Sequence, residues 1–401
     1  MQVLELNMYQ ATGVAAVMLV IGQLLVNRIE VLRRYCIPAP VVGGFLFAIV
    51  HTVLRSAGII EFNMDTTLQS VFMTAFFCSV GYTAAFTMLK KGGINVIKFL
   101  ILAILVVIIQ DAVGAGAAGV FGLDARLGLA MGSIPLVGGH GTAGSFGPFL
   151  EEMGVANAST VGIAAATYGL VAGCIIGGPI AASKIRKYKL VSGGFEKPED
   201  AENTAVVDKD TDTGAIDKEK MLDAAIYIVI AVGIGTVVTS VLSNIVTLPG
   251  YIGAMLVGAV IRNVNDVRGT KTPMNEITTL GNVCLSLFLG LAMITLKLWQ
   301  LVDLALPMIV ILLLQTLIMF LYASYVVFPV MGKTFDSATM ASGFCGFGMG
   351  ATPNAIANMS AVTREHGPAP LAFLVVLLVG SLFIDFFNGT IITVFANVLS
   401  G

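Results

Sequence analysis

Two short glycine-rich stretches carry the residues best suited to chemistry. The first runs Ser133-Ile-Pro-Leu-Val-Gly-Gly-His-Gly-Thr-Ala-Gly-Ser-Phe-Gly147. The second runs Ser342-Gly-Phe-Cys-Gly-Phe-Gly-Met-Gly-Ala-Thr-Pro-Asn354. Glycine at every second or third position removes side chains and permits positive φ, so the backbone can turn sharply and present its N–H and C=O groups. Inside a membrane, bare backbone is tolerated only where it is buried in protein or lines a wet cavity. Short helices at such a break would aim their positive N-terminal ends at an anion. Gly139-His-Gly141-Thr142 is echoed by Gly348-Met-Gly350-Ala-Thr352, and Pro353 can occupy the first turn of a helix. The candidate substrate contacts are therefore Ser133, Gly139, His140, Gly141, Thr142, Gly348, Gly350 and Thr352. A lone GxG would more simply let two helices pack closely. Two copies in corresponding places, each followed by threonine, favour a binding role.

Polar residues within apolar runs form the second set. Gln110 and Asp111 lie midway along one run, Asp385 and Asn388 midway along another, and Gln315 within a third. An intramembrane carboxylate costs about 2.5–3.5 kcal/mol on insertion scales, so it is seldom idle. Asp111 and Asp385, supported by Gln110 and Gln315, are candidate sodium ligands or partners for a substrate ammonium; the alternative is a structural hydrogen bond to a neighbouring helix. Asn354 and Asn358, four apart, share a helix face, either touching substrate or capping a helix. Asn388, Asn282 and Ser286 are further polar candidates. His140 is read either as a histidine held by one hydrogen bond or as a proton relay. No arginine falls in these segments, so an anion would be held by N–H groups, hydroxyls and co-bound cations.

The elements that must position these groups follow from composition. Of 401 residues, 57% are hydrophobic and 11% charged, and the mean hydropathy is +0.92. About a quarter of a soluble domain is charged, so this chain requires lipid. Ten apolar runs approach the roughly 20 residues needed to span a bilayer. They lie around 9–27, 37–54, 67–89, 94–121, 157–183, 221–246, 249–263, 278–297, 303–330 and 369–399. The segments near 127–150 and 338–360 are apolar but too rich in glycine for a helix or an ordinary loop, and read as re-entrant hairpins. Residues 184–220 hold 17 of the 46 charges and form a polar linker.

Basic residues orient the spans. Alternate connections collect 19 Lys/Arg on one side and leave Arg55, Arg126 and Lys297 on the other. That places the linker in the cytoplasm and both termini outside. Five spans per half then force the halves, 1–183 and 221–401, to be inverted. Pro40 and Pro249, Gly81 and Gly290, and Gly141 and Gly350 are each 209 residues apart, the mark of an internal repeat common in transporters. A net charge of −2 gives no sign of nucleic-acid binding. HExxH and Walker motifs are absent, as is an evident Ser/His/Asp arrangement, which argues against an intramembrane enzyme.

In one-letter code, the phrases IPAPVVGG (37–44), GGHGTAG (138–144), YGLVAGCIIGGPIA (168–181), GNVCLSLFLGLAMITLKLWQL (281–301), GFGMGATPNAIANM (346–359) and LVGSLFIDFFN (378–388) resemble the bacterial sodium/glutamate symporter family. The resemblance covers nearly the whole chain outside the linker. It implies an all-α protein of ten transmembrane helices in two inverted five-helix repeats with paired re-entrant loops. It further implies a homodimer in the bacterial inner membrane that imports L-glutamate with Na⁺ as coupling ion by an elevator mechanism. No other cofactor is implied. The family's glycine motif falls on Gly138, Gly139 and Gly141, and again on Gly346, Gly348 and Gly350. Asp111 stands where asparagine is expected in the family. A carrier of another di- or tricarboxylate with the same fold is the alternative reading.

Overall fold

A computed structural model describes residues 2–35, 37–85, 93–192, 217–243, 248–301 and 304–400. Lys90, Lys91, residues 86–89 of the expected third span, and residues 193–216 of the linker lie outside the described residues. The apolar runs fold as helices because in lipid the backbone must satisfy its own hydrogen bonds. The first half gives α1 (Met8–Arg28), α2 (Ala39–Ser56), α3 (Thr67–Thr83), α4 (Gly93–Val120), α5 (Ser133–Leu136), α6 (Gly139–Glu152) and α7 (Ala158–Tyr188). The second half gives α8 (Lys218–Leu242), α9 (Ile252–Arg268), α10 (Met274–Ile294), α11 (Ala305–Tyr322), α12 (Phe335–Gly348), α13 (Thr352–His366), α14 (Pro370–Leu378) and α15 (Ile384–Val398). Among the described residues, eight helical segments are long and apolar enough to cross a membrane. The expected third and seventh spans, α3 and α9, have 17 residues each, and α9 ends in Arg262, Asp266 and Arg268.

The two glycine-rich segments are mostly helical, which corrects their reading as neither helix nor loop. α12 runs unbroken through Gly343, Gly346 and Gly348, and only 349–351 separate it from α13. A helical glycine costs about 1 kcal/mol relative to alanine, but here close packing repays it. Gly169 and Gly173 of α7 face the carbonyls of Met349 and Cys345, and Gly346 of α12 faces the backbone of Ala355 in α13. The long last run is interrupted by a π turn, Val379–Phe383, between α14 and α15. A second π turn, Ala323–Val327, follows α11.

The helices sort into two bundles. One contains α1–α3 and α8–α10. Within it Gly22 and Gly43 bring the backbones of α1 and α2 together, as Gly235 and Gly253 do for α8 and α9. The other bundle contains α4–α7 and α11–α15 and holds both glycine-rich segments. Contacts between bundles are few: α6 meets α10, and α3 meets α15 and its π turn. There Gly141 faces Phe76 and Leu285, and Gly144 faces Phe288. Tyr251 stacks on Phe77 at 4.1 Å, with its hydroxyl 3.4 Å from that of Ser145.

Contacts also collect the loops at two ends. At one, β1 (Gln2–Leu6) pairs in parallel with β2 (Ile60–Met64). Arg55 there bonds Glu61 at 3.3 Å and lies over Trp299 at 4.3 Å, and His51 accepts from Phe62 N–H at 3.1 Å. At the other end, Ser192 donates to the Pro368 carbonyl at 2.6 Å, and Lys184 sits over the Tyr325 ring at 4.8 Å.

Candidate functional site

The breaks in the two glycine-rich segments meet inside the second bundle. α6 begins at Gly139, whose φ of +62° suits glycine, and the position of its missing Cβ lies 2.9 Å from the Gly350 carbonyl. α13 begins two residues after Gly350, with Pro353 in its first turn. Neither α6 nor α13 has a side-chain N-cap. Among the described residues α6 leaves the N–H groups of Gly139, His140 and Gly141 for another acceptor, whereas α13 leaves that of Thr352, since Pro353 has none and Asn354 N–H donates to the Ala351 carbonyl at 3.0 Å. Two uncapped helix starts side by side form a surface suited to an anion.

A polar network runs beside this junction. Asp111 on α4 accepts from both the backbone N–H and the hydroxyl of Ser133, at 2.8 and 2.9 Å. Asn388 of α15 donates to the Ser133 carbonyl at 3.3 Å. Gln110 donates to the Gly348 carbonyl at 2.9 Å, and Gln315 of α11 donates to the Gln110 carbonyl at 2.7 Å. Thr352 donates at 2.8 Å to the carbonyl of Gly380, which the π turn places in reach. Each of Gln110, Gln315, Asn354 and Asn388 spends its N–H on a carbonyl and leaves its own buried oxygen without a partner. Native proteins rarely leave buried polar atoms unpaired, and each such atom calls for an explanation. Asp385, one turn before Asn388, has no hydrogen-bond partner among the described residues.

The structure thus brings together Ser133, Gln110, Asp111, Gln315, Gly348 and Asn388 in one network, with Thr352 and Asp385 on its flank. His140 stands apart. Its Nε2 is 3.0 Å from the Thr167 hydroxyl, which also lies 3.1 Å from the Ile163 carbonyl of the same helix. Asn354 and Asn358 cap no helix; they donate to the α7 carbonyls of Leu170 and Gly173 at 2.9 and 3.0 Å. Thr142 is buried beside Gly138. Asn282 and Ser286 lie on α10, in the other bundle.

A family model described as sodium/glutamate symporter matches residues 4–368. The sodium/glutamate symporter of Escherichia coli (strain K12) is 41% identical over 389 residues, covering 96% of both chains. That of Haemophilus influenzae is 35% identical over 392 residues, again covering 96% of both. The chain belongs to the sodium/glutamate symporter family. It is a multi-pass membrane protein and a transporter, not an enzyme.

In this symporter-family chain a cleft of about 810 Å³ opens between the bundles, at the end that carries Arg55 and Lys297. Ser70 of α3, Gly144 and Ser145 of α6, Thr160 of α7, and Thr295 and Lys297 beyond α10 line it. Gly144 and Ser145 fall within the first glycine-rich stretch, but sequence reasoning missed Ser70, Thr160, Thr295 and Lys297 because a polar side chain near the end of a span is unremarkable. Lys297 offered the one available signal, as one of the three basic residues on the sparsely charged side.

Proposed function

We propose that the protein imports L-glutamate with Na⁺. The observation that carries the reading is the set of four buried, unpartnered amide oxygens beside two uncapped helix starts. Carbonyl oxygens suit Na⁺ and helix N-termini suit a carboxylate, so one junction serves both partners. Asp111 and Asp385 supply negative charge for the cation, with Gln110 and Gln315 as neutral ligands or supports. Gly139, Gly350 and Thr352 flank the junction as substrate contacts, and His140, Gly141 and Thr142 extend that set through the backbone of the first turn of α6; Ser133, Gly348, Asn354, Asn358 and Asn388 shape it.

We further read the chain as ten transmembrane helices in two inverted repeats, 1–183 and 221–401, joined by a cytoplasmic linker, 184–220. In support, each half gives three helices to the first bundle and two spans plus a broken segment to the second. α3 and α9 complete the ten. The second bundle would then move as an elevator against the first, which would form the scaffold of a homodimer in the bacterial inner membrane. With the termini outside, as this reading has them, the cleft would open outward. A carrier of another di- or tricarboxylate is the competing reading. Substrate-dependent Na⁺ flux into proteoliposomes separates the two: L-glutamate should drive it best across a panel of acids. Flux driven by citrate or malate but not by glutamate would overturn the assignment.

A further inference from the structure

We propose that the cleft between the bundles is a selectivity antechamber for amino-acid dicarboxylates, in which Lys297 takes a carboxylate and Glu151 and Glu152 take the ammonium. The inference rests on the transport reading above and deepens it. Three ionisable side chains line the cleft: Lys297, just beyond α10 in the first bundle, and Glu151 and Glu152, at the end of α6 in the second. All three are exposed and make no salt bridge among the described residues. One oxygen of Glu151 accepts from Ser159 N–H at the start of α7, at 3.0 Å, which fixes that carboxylate on the wall. Thr160 is only 4% exposed, lines the cleft, and has no hydrogen-bond partner for its hydroxyl among the described residues. Gln69 and Ser159, also on the wall, each hold a buried oxygen without a partner. Unpaired polar atoms around a cleft of about 810 Å³ are the mark of a site built for a polar guest.

The signs decide which guest. One cation and two carboxylates make a net negative wall, which opposes a polyanion without an ammonium group. A molecule carrying both charges can lie across the cleft, its carboxylate toward the scaffold and its ammonium toward the moving bundle. The cleft therefore discriminates before the deeper junction does.

Glutarate, which is glutamate without the ammonium, is the probe. Radiolabelled L-glutamate uptake is measured in proteoliposomes, with glutarate as inhibitor, for the wild type and for Glu152→Gln, Lys297→Gln and Lys297→Arg. Pairs of this exposed kind contribute about two- to fivefold in affinity. Glu152→Gln should narrow the ratio of glutarate inhibition constant to glutamate KM by about that factor. Lys297→Gln should raise the glutamate KM by a similar factor with a smaller effect on maximal rate, and Lys297→Arg should restore it. An unchanged ratio and KM with uptake intact overturn the antechamber alone. A shift only in the Na⁺ concentration required would mean that the acids serve the cation, which also overturns it. Absence of wild-type glutamate uptake overturns the transport reading itself.

Discussion

Asp111 and Asp385 are both intramembrane carboxylates, yet the structure treats them differently. Asp111 satisfies two donors of Ser133, whereas Asp385 has no such partner. An asparagine at 111 can still accept from the Ser133 N–H, and the serine hydroxyl can turn to accept from the new amide. A leucine there would strand both donors, at about 1–3 kcal/mol for each buried group. Asp111→Asn should therefore keep its melting temperature in detergent within a few degrees and need only modestly more Na⁺ for half-maximal uptake. Asp111→Leu should unfold markedly earlier. Asp385→Asn should melt normally but require far more Na⁺, because an unpaired carboxylate has charge to give a cation. Equal Na⁺ dependence in Asp385→Asn and wild type would remove Asp385 from the cation's surroundings. The identities of these residues stood out in the sequence because charge in an apolar run is costly. How they pair did not: Asp111 takes Ser133 as its partner, and Gln315 reaches the Gln110 carbonyl across 205 residues, a pairing that only the crossing of α4 and α11 selects.

At the scale of elements, lipid made the long helices legible, since a spanning run has little choice of structure. The glycine-rich segments were harder, because local propensity and tertiary packing disagree there. Glycine weakens a helix in isolation, but α7 presents Gly169, Gly173 and Gly177 on one face, so the α12–α13 pair can approach it backbone to backbone. The π turn at Val379–Phe383 was likewise hidden, since its run reads as continuous apolar sequence. A substitution can separate the packing from the composition. Gly173→Val would drive a branched side chain into the Cys345 carbonyl, whose oxygen lies 2.8 Å from where the new Cβ would sit. Overpacking of this kind costs about 1–3 kcal/mol. Gly178, five residues on, has open space on its missing side. Gly173→Val should lower the melting temperature by several degrees and reduce uptake, while Gly178→Ala should match wild type in both. Equal behaviour of the two would mean that α7 does not pack on α12 in this way.

For the whole molecule, the question is whether the two bundles move as units. Contacts inside each bundle join backbone to backbone through glycine, whereas the interface between them sets Gly141 and Gly144 of α6 against the side chains of Phe76, Leu285 and Phe288. A glycine face against apolar rings offers no hydrogen bonds to break when one body slides on the other. The Ser145–Tyr251 contact, at 3.4 Å, is the polar exception on α6, and it is long. Linking the bundles should therefore stop transport, while linking helices within a bundle should not. In a background without native cysteines, Gly144→Cys with Phe288→Cys would be bridged across the interface by a short bis-methanethiosulfonate, which joins each thiol through a disulfide with loss of methanesulfinate. Ala143→Cys with Gly162→Cys provides the control, because the Gly162 Cβ position is 3.4 Å from the Ala143 Cβ, close to disulfide spacing, and both lie in the second bundle. Bridging 144 to 288 should abolish uptake, and cleavage of the bridge by reductant should restore it. Oxidation of the 143–162 pair should leave uptake near its reduced level. Cross-linking of 144 to 288 should also slow when glutamate and Na⁺ are both present, because turnover carries α6 away from α10. Full uptake with the 144–288 bridge intact would show that the bundles stay together during transport, and that substrate reaches the junction through a local opening of the broken segments.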